Sequence, residues 1–181
     1  MLINSTSLGD TMAYSTIPDN KSFLSNNKFD FALDRIPNFT FLVQSANLPG
    51  ISLSSSNFQT PLANIQLPGT QIVFSQLSLT FIVDEDMQSW YELYDWMFQL
   101  GNPEGIDKRG TLTGYPGSPN NIVSDANLII KTNSNNPNWR VRFHDLFPVD
   151  LSEIGFSTTE SQEFITSSVT FAYTYYKLER V

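Results

Sequence analysis

Large apolar residues fall on every second position over much of the chain from Phe29 onward, and a period of two is what a β-strand with one buried face requires. Leu77, Leu79, Phe81 and Val83 form one series, with Ser78 and Thr80 opposite. Trp139, Val141 and Phe143 alternate with Arg140, Arg142 and His144. The loop-forming run from Asn133 to Asn138 joins that strand to the segment from Ala126 to Lys131 as a hairpin. Phe39, Phe41 and Val43 read as one face of an early strand, and Val169, Phe171, Tyr173 and Tyr175 as one face of a closing strand. Strands half-buried in this way are mostly antiparallel.

One segment breaks the period. Met87, Trp90, Tyr91, Tyr94 and Phe98 recur at spacings of three and four, which predicts a helix from about Glu85 to Leu100. Asp84 suits its N-cap, Glu85 and Asp86 suit the positive end of its dipole, and Gly101 with Pro103 supplies the stop. Apolar residues on most of its circumference need cover on two sides, the strand core and a second subunit. The predicted fold class is mainly β: two packed antiparallel sheets, as a sandwich or barrel, with one flanking α-helix and long loops.

A chain of 181 residues fits one ordinary domain. Residues 1–27, rich in Ser, Thr and Asn, read as a flexible or partner-ordered arm, and 28–181 as a single β domain. Two irregular stretches remain, from Leu48 to about Ser75 and from Asn102 to Asn121. The first runs from Leu48-Pro49-Gly50 past Ile51, Leu53, Phe58, Leu62 and Ile65 to Leu67-Pro68-Gly69. That is too apolar for a solvated linker, so these residues are expected to form a subunit interface.

The search for chemistry returns little. His144 is the only histidine and cysteine is absent, which removes histidine triads, multi-histidine metal sites and thiol catalysis. No nucleophile elbow, phosphate loop or dinucleotide fingerprint is present. Asp84-Glu85-Asp86 lacks the spaced ligands and glycine of a calcium loop and reads as helix capping. Eighteen acidic residues include no pair that sequence singles out for glycoside cleavage. Trp90, Trp96 and Trp139 follow the element periodicities and read as core. The chain reads as non-enzymatic and calls for no cofactor. Ten Lys and Arg against eighteen Asp and Glu give a net charge of −8, so the chain repels polyanions. No stretch approaches the roughly 18 apolar residues of a membrane span, and the start lacks a signal peptide's pattern. Both point to a soluble protein made in the cytoplasm.

The phrase Asn38-Phe-Thr-Phe-Leu-Val-Gln-Ser-Ala-Asn-Leu-Pro-Gly50 resembles the early strand of tail tube proteins of contractile-tailed bacteriophages. Leu77 to Asp86, running into the helix, resembles that family's strand-to-helix segment, and Leu146 to Gly155 with Val169 to Tyr176 resembles its late segment. Together the three cover most of residues 38–178. The resemblance implies two packed sheets with a flanking helix, and six copies in a ring whose inner strands join into one barrel. Rings then stack into the inner tail tube, a conduit for DNA ejection, and the type VI secretion tube protein shares that ring architecture. It implies sheath and baseplate proteins as partners, DNA as a weakly contacted cargo, no membrane, and a place in the virion tail after assembly in the host cytoplasm. The long N-terminal arm departs from a minimal tube subunit and leaves a baseplate, tube-initiator or tail-terminal ring protein as an alternative. A monomeric β-sandwich ligand-binding module is the alternative from another class.

The lumen of such a tube should present polar strand faces and hold DNA weakly. Ser78 with Thr80, and Thr166, Ser168, Thr170 and Thr174, are the candidate faces. The face bearing Arg140, Arg142 and His144 is the poorer candidate, because it would attract DNA.

Overall fold

The computed structural model describes residues 22–59, 62–101, 122–158 and 164–181. In chain order these form β1 (Phe29–Leu33), a 3-10 turn (Pro37–Phe41), β2 (Val43–Ala46), β3 (Ile51–Gln59), β4 (Asn64–Phe74), β5 (Leu77–Ile82), α1 (Gln88–Gly101), β6 (Ser124–Lys131), β7 (Pro137–Leu151), β8 (Thr166–Ala172) and β9 (Tyr175–Arg180). Every strand pairing is antiparallel. Among the described residues the path of paired strands is open, with no barrel closure.

The 15-residue strand β7 belongs to two sheets. Its first half lies between β6 and β9, and its second half beside β8, giving β1-β6-β7-β9 and β7-β8-β5-β2. The change of sheet falls after Asp145, whose φ of 56° lies in the left-handed region that aspartate tolerates better than most residues. The carboxylate of Asp125 holds this bend. It accepts the Asp145 backbone N–H at 3.4 Å and lies 3.4 Å from Arg142 Nη2 and 3.5 Å from His144 Nδ1.

The alternating apolar faces of both sheets meet in one core. Leu77, Leu79 and Phe81 from β5, Val141 and Phe143 from β7, and Val169 and Phe171 from β8 are all buried. Phe39 bridges the sheets, its ring 6.5 Å from Phe31 and 4.8 Å from Phe81. Helix α1 closes the flank with Leu93 and Trp96, whose ring lies 6.3 Å from Phe171. Each such large side chain contributes roughly 1.5–3 kcal/mol by leaving water. The predicted class, mainly β with two antiparallel sheets and one helix, is the one observed.

Four local expectations are corrected. The early strand through Phe39, Phe41 and Val43 is a 3-10 turn up to Phe41, with Pro37 at its start. Phe39 then points inward while Phe41 is 89% exposed, so the two do not share a face. The long irregular stretch after Leu48 is the hairpin β3–β4. The helix begins at Gln88 rather than near Glu85, because a turn with Met87 at φ 53° intervenes and leaves Glu85 and Asp86 outside it. The closing strand breaks after Ala172, where the chain leaves one sheet to become β9 in the other. The expected arm up to residue 21 and the loop from Asn102 to Asn121 lie outside the described residues.

Candidate assembly interface

The hairpin β3–β4 is fixed at its root. Ser75 donates its backbone N–H to the Gly50 carbonyl at 3.0 Å, and Asn47 bonds the Ser78 N–H through Oδ1 and the Gln76 carbonyl through Nδ2. Two tyrosines from the β8–β9 corner complete the clamp. Tyr173 donates its hydroxyl to the Ser75 carbonyl at 2.6 Å, and Tyr176 donates to the carbonyl of the buried Pro49 at 3.0 Å. The ring of Phe74 lies 6.1 Å from Tyr173 and 5.3 Å from Tyr176. Burial, with the neighbouring Tyr176, pushes the Tyr173 phenol up to about 12, so it stays a donor at any physiological pH.

Beyond this root, β3 and β4 pair only with each other among the described residues. Ile51, Leu53, Phe58, Ile65 and Leu67 are about half exposed and Leu62, near the turn, is 98% exposed. Leu48 is exposed at the entry. Pro68 lies opposite Ser55 next to a bulge. Gly69 sits so close over Ser54 that a Cβ there would fall 2.6 Å from the Ser54 carbonyl oxygen. The expected interface residues are thus gathered on one projecting ribbon, with Pro49 and Gly50 in its root. An isolated two-stranded hairpin is marginal in water, and an exposed apolar edge invites pairing.

The candidate lumen residues converge on one surface. In the β5–β8 register Ser78 pairs with Thr170, Thr80 with Ser168 and Ile82 with Thr166, and Ser45 of β2 lies beside Thr80. Five of the six residues therefore share the outer face of one sheet, a field of hydroxyls that also carries Ile82 and is bordered by Asp150 of β7. Thr174 stands apart in the corner before β9, its N–H bonded to the His144 carbonyl. Arg140, Arg142 and His144 lie on the other sheet. There Asp125 pairs with Arg142 at 3.4 Å and lies beside His144, and Lys131 pairs with Asp30 at 2.5 Å.

The surface of α1 shows no chemistry. A depression of about 380 Å³ is lined by Trp90, Tyr94, Met97, Phe98 and Leu151, with no carboxylate or imidazole beside the Tyr94 phenol in the lining. A second, of about 510 Å³, includes Asp84, but that carboxylate caps the helix. It accepts the N–H of Gln88 at 3.1 Å and of Ser89 at 3.2 Å, and the Ser89 hydroxyl at 2.6 Å. The Ser89 hydroxyl above all holds the Asp84 carboxyl below its ordinary range. Among the described residues no group of His, Asp and Glu could hold a metal ion, and no helix is long and apolar enough to cross a membrane. Sequence reasoning missed one signal: from Ile36 through Val83 there is no charged residue, although the chain carries 28 elsewhere, 10 basic and 18 acidic. Every strand from β2 to β5 lies in that interval.

A clamped apolar ribbon and a field of hydroxyls are features of a structural building block that works by association. Comparison with known proteins agrees. The chain belongs to the phage tail tube protein family, whose profile matches residues 11–179. It is 31% identical over 147 residues to the tail tube terminator protein of Enterobacteria phage T4, covering 78% of this chain and 79% of that one. Its fold matches the tube-terminating cap of the anti-feeding prophage, with a TM-score of 0.65 at 14% identity over 94% of this chain and 100% of that one. It also matches a chain of the PVC extracellular contractile injection system sheath-tube complex in its extended state. There the TM-score is 0.60 at 16% identity, over 98% of this chain and 100% of that one. The protein is a tail tube or terminator-like structural component of the phage tail and not an enzyme.

Proposed function

We propose that six copies of this chain form the ring that ends the inner tail tube, rather than the rings repeated along it. The likeness to a tube terminator over nearly four-fifths of both chains carries this reading. A terminal ring needs one face that docks on the tube and another that does not propagate it. The exposed hairpin supplies an assembly element, and closing a ring satisfies strand edges that are open in the single chain, such as the outer edge of β2. The outer face of β5 and β8 lines the channel, where hydroxyls without cations give a phosphate backbone little to grip. DNA then passes as cargo, and the partners are tube, sheath and baseplate proteins.

Negative-stain images of the purified protein test this. Isolated six-fold rings that cap pre-formed tubes are expected. Unlimited self-polymerisation into tubes would return the chain to the repeating-subunit reading, and a monomer at every concentration would remove both.

A further inference from the structure

The flank beside α1 carries two apolar depressions, joined by one contact. Trp90 Nε1 donates to the Ser152 carbonyl at 3.5 Å and ties the helix to the chain leaving β7. Leu151, just before that contact, lines the first depression with Tyr94, Met97 and Phe98. Ile154, just after it, lines the second with Val83, Met87, Phe156 and Ile165. The rings of Trp90 and Tyr94 stack at 5.6 Å, and Phe98 follows Tyr94 at 5.7 Å, so one wall is a continuous aromatic row. Tyr91, Tyr94 and Phe156 remain exposed. Apolar surface gathered into a groove marks a place where another molecule docks.

The charge around this groove has one sign. Residues 82–101 contain Asp84, Glu85, Asp86, Glu92 and Asp95, residues 145–158 contain Asp145, Asp150 and Glu153, and neither interval has a Lys or Arg. Arg35 reaches the helix, but its guanidinium lies 4.7 Å over the ring of the buried Trp96 and bonds Gln99 Oε1 at 3.0 Å. Asp84 is engaged in the helix cap. Glu85 lines the second depression, Glu153 precedes Ile154, and both are exposed. An occupant must therefore bring cations together with apolar anchors, which excludes nucleic acid.

Met87 and Met97 lie about 15 Å apart along the helix direction, the length of about three turns of a helix laid beside it. A helix that fits shows apolar residues at spacings of three and four on one face and Lys or Arg on the other. A second copy of this chain is the poorer match, because Arg142 and Lys131 are already paired with Asp125 and Asp30.

We infer that the α1 flank is the docking groove for a basic amphipathic helix of another protein. Its apolar face enters the depressions at Met97 and Met87, and its cations meet Glu85 and Glu153. This goes beyond the ring reading and holds whichever ring of the tube the chain forms.

The test uses the full chain with isotope-labelled methionine methyl groups, since Met87 and Met97 report on the two depressions separately. Met87→Leu and Met97→Leu assign the two signals. The probe is a synthetic helical peptide with Leu on one face and Lys on the other. It should shift both signals, and its affinity should fall about tenfold or more between low and high salt. Glu85→Lys with Glu153→Lys, both at exposed positions, should weaken it by a similar factor without disturbing the fold. Signals that do not move with this peptide would overturn the docking groove. So would equal shifts from a peptide with Glu in place of Lys, or from one of the same composition in scrambled order. Shifts that follow protein concentration with no peptide present would give the groove to a second copy and overturn the proposal as well. Light scattering on the same samples reads ring formation separately.

Discussion

The hydroxyl of Tyr173 donates to the backbone carbonyl of Ser75 at 2.6 Å, joining the corner between β8 and β9 to the foot of β4. Tyr176 holds the other foot through Pro49. The projecting hairpin is therefore aimed by the last strands of the chain, about a hundred residues away in sequence. Replacing Tyr173 with Phe removes one hydrogen bond, expected to cost about 1 kcal/mol. Faster amide exchange at Ser75, whose N–H bonds Gly50, should accompany it, with the β5–β8 ladder unchanged.

The same phenol sets an alkaline limit. Because its value in the fold lies at about 12, above the ordinary 10.0, its contribution is complete below pH 10 and is lost as pH rises towards 12. Ultraviolet titration of tyrosinate should show a late-ionising phenol that disappears in Tyr173→Phe. A titration unchanged by that substitution would contradict the assignment.

Helix α1 should depend on Asp84. Its carboxyl is lowered, so the capping contribution is present above the ordinary 3.8 and is lost as pH falls through the still lower folded value. Asp84→Ala is expected to cost about 1 kcal/mol at neutral pH. Denaturant titration should find that cost reduced in strong acid.

Asp34 should behave oppositely. Burial first, then the nearby Asp125, raises its carboxyl, while Arg142 offsets part of this. The ionised form is thus a strain on the fold at neutral pH, and stability from this group grows as pH falls through the raised value. Asp34→Asn should melt slightly higher than the parent at pH 7, and that advantage should shrink in acid. Thermal melts across pH would expose an error in the sign.

Changing Phe58 and Leu62 to Ser should abolish assembly and leave the fold intact, since the two are 59% and 98% exposed and contribute nothing to the core. Light scattering gives the oligomeric state and circular dichroism the fold. Rings of unaltered abundance would show that the tip of the hairpin is not an interface.

Periodicity determined much of this protein before any coordinates. Leu77, Leu79 and Phe81 alternate so regularly that burying one face leaves only a strand, and Trp90, Leu93 and Trp96 recur so that only a helix gathers them. The Ser and Thr positions opposite those apolar faces were legible for the same reason. Which strands lie side by side was not, because alternation fixes a face but not a neighbour. Only the tertiary structure brought Ser78 beside Thr170 and sent Thr174 into a corner. The hairpin escaped a period-two reading for a physical reason. Its register shifts between Leu53 and Ser55, and Ile51 and Leu53 fall out of phase with Phe58, which leaves a run of serines that mimics a loop. Likewise, the single apparent strand from Val169 to Tyr175 serves two sheets, because its break after Ala172 depends on β7 bending at Asp145 to receive both halves. Local sequence sets what each segment can bury; long-range pairing decides against what.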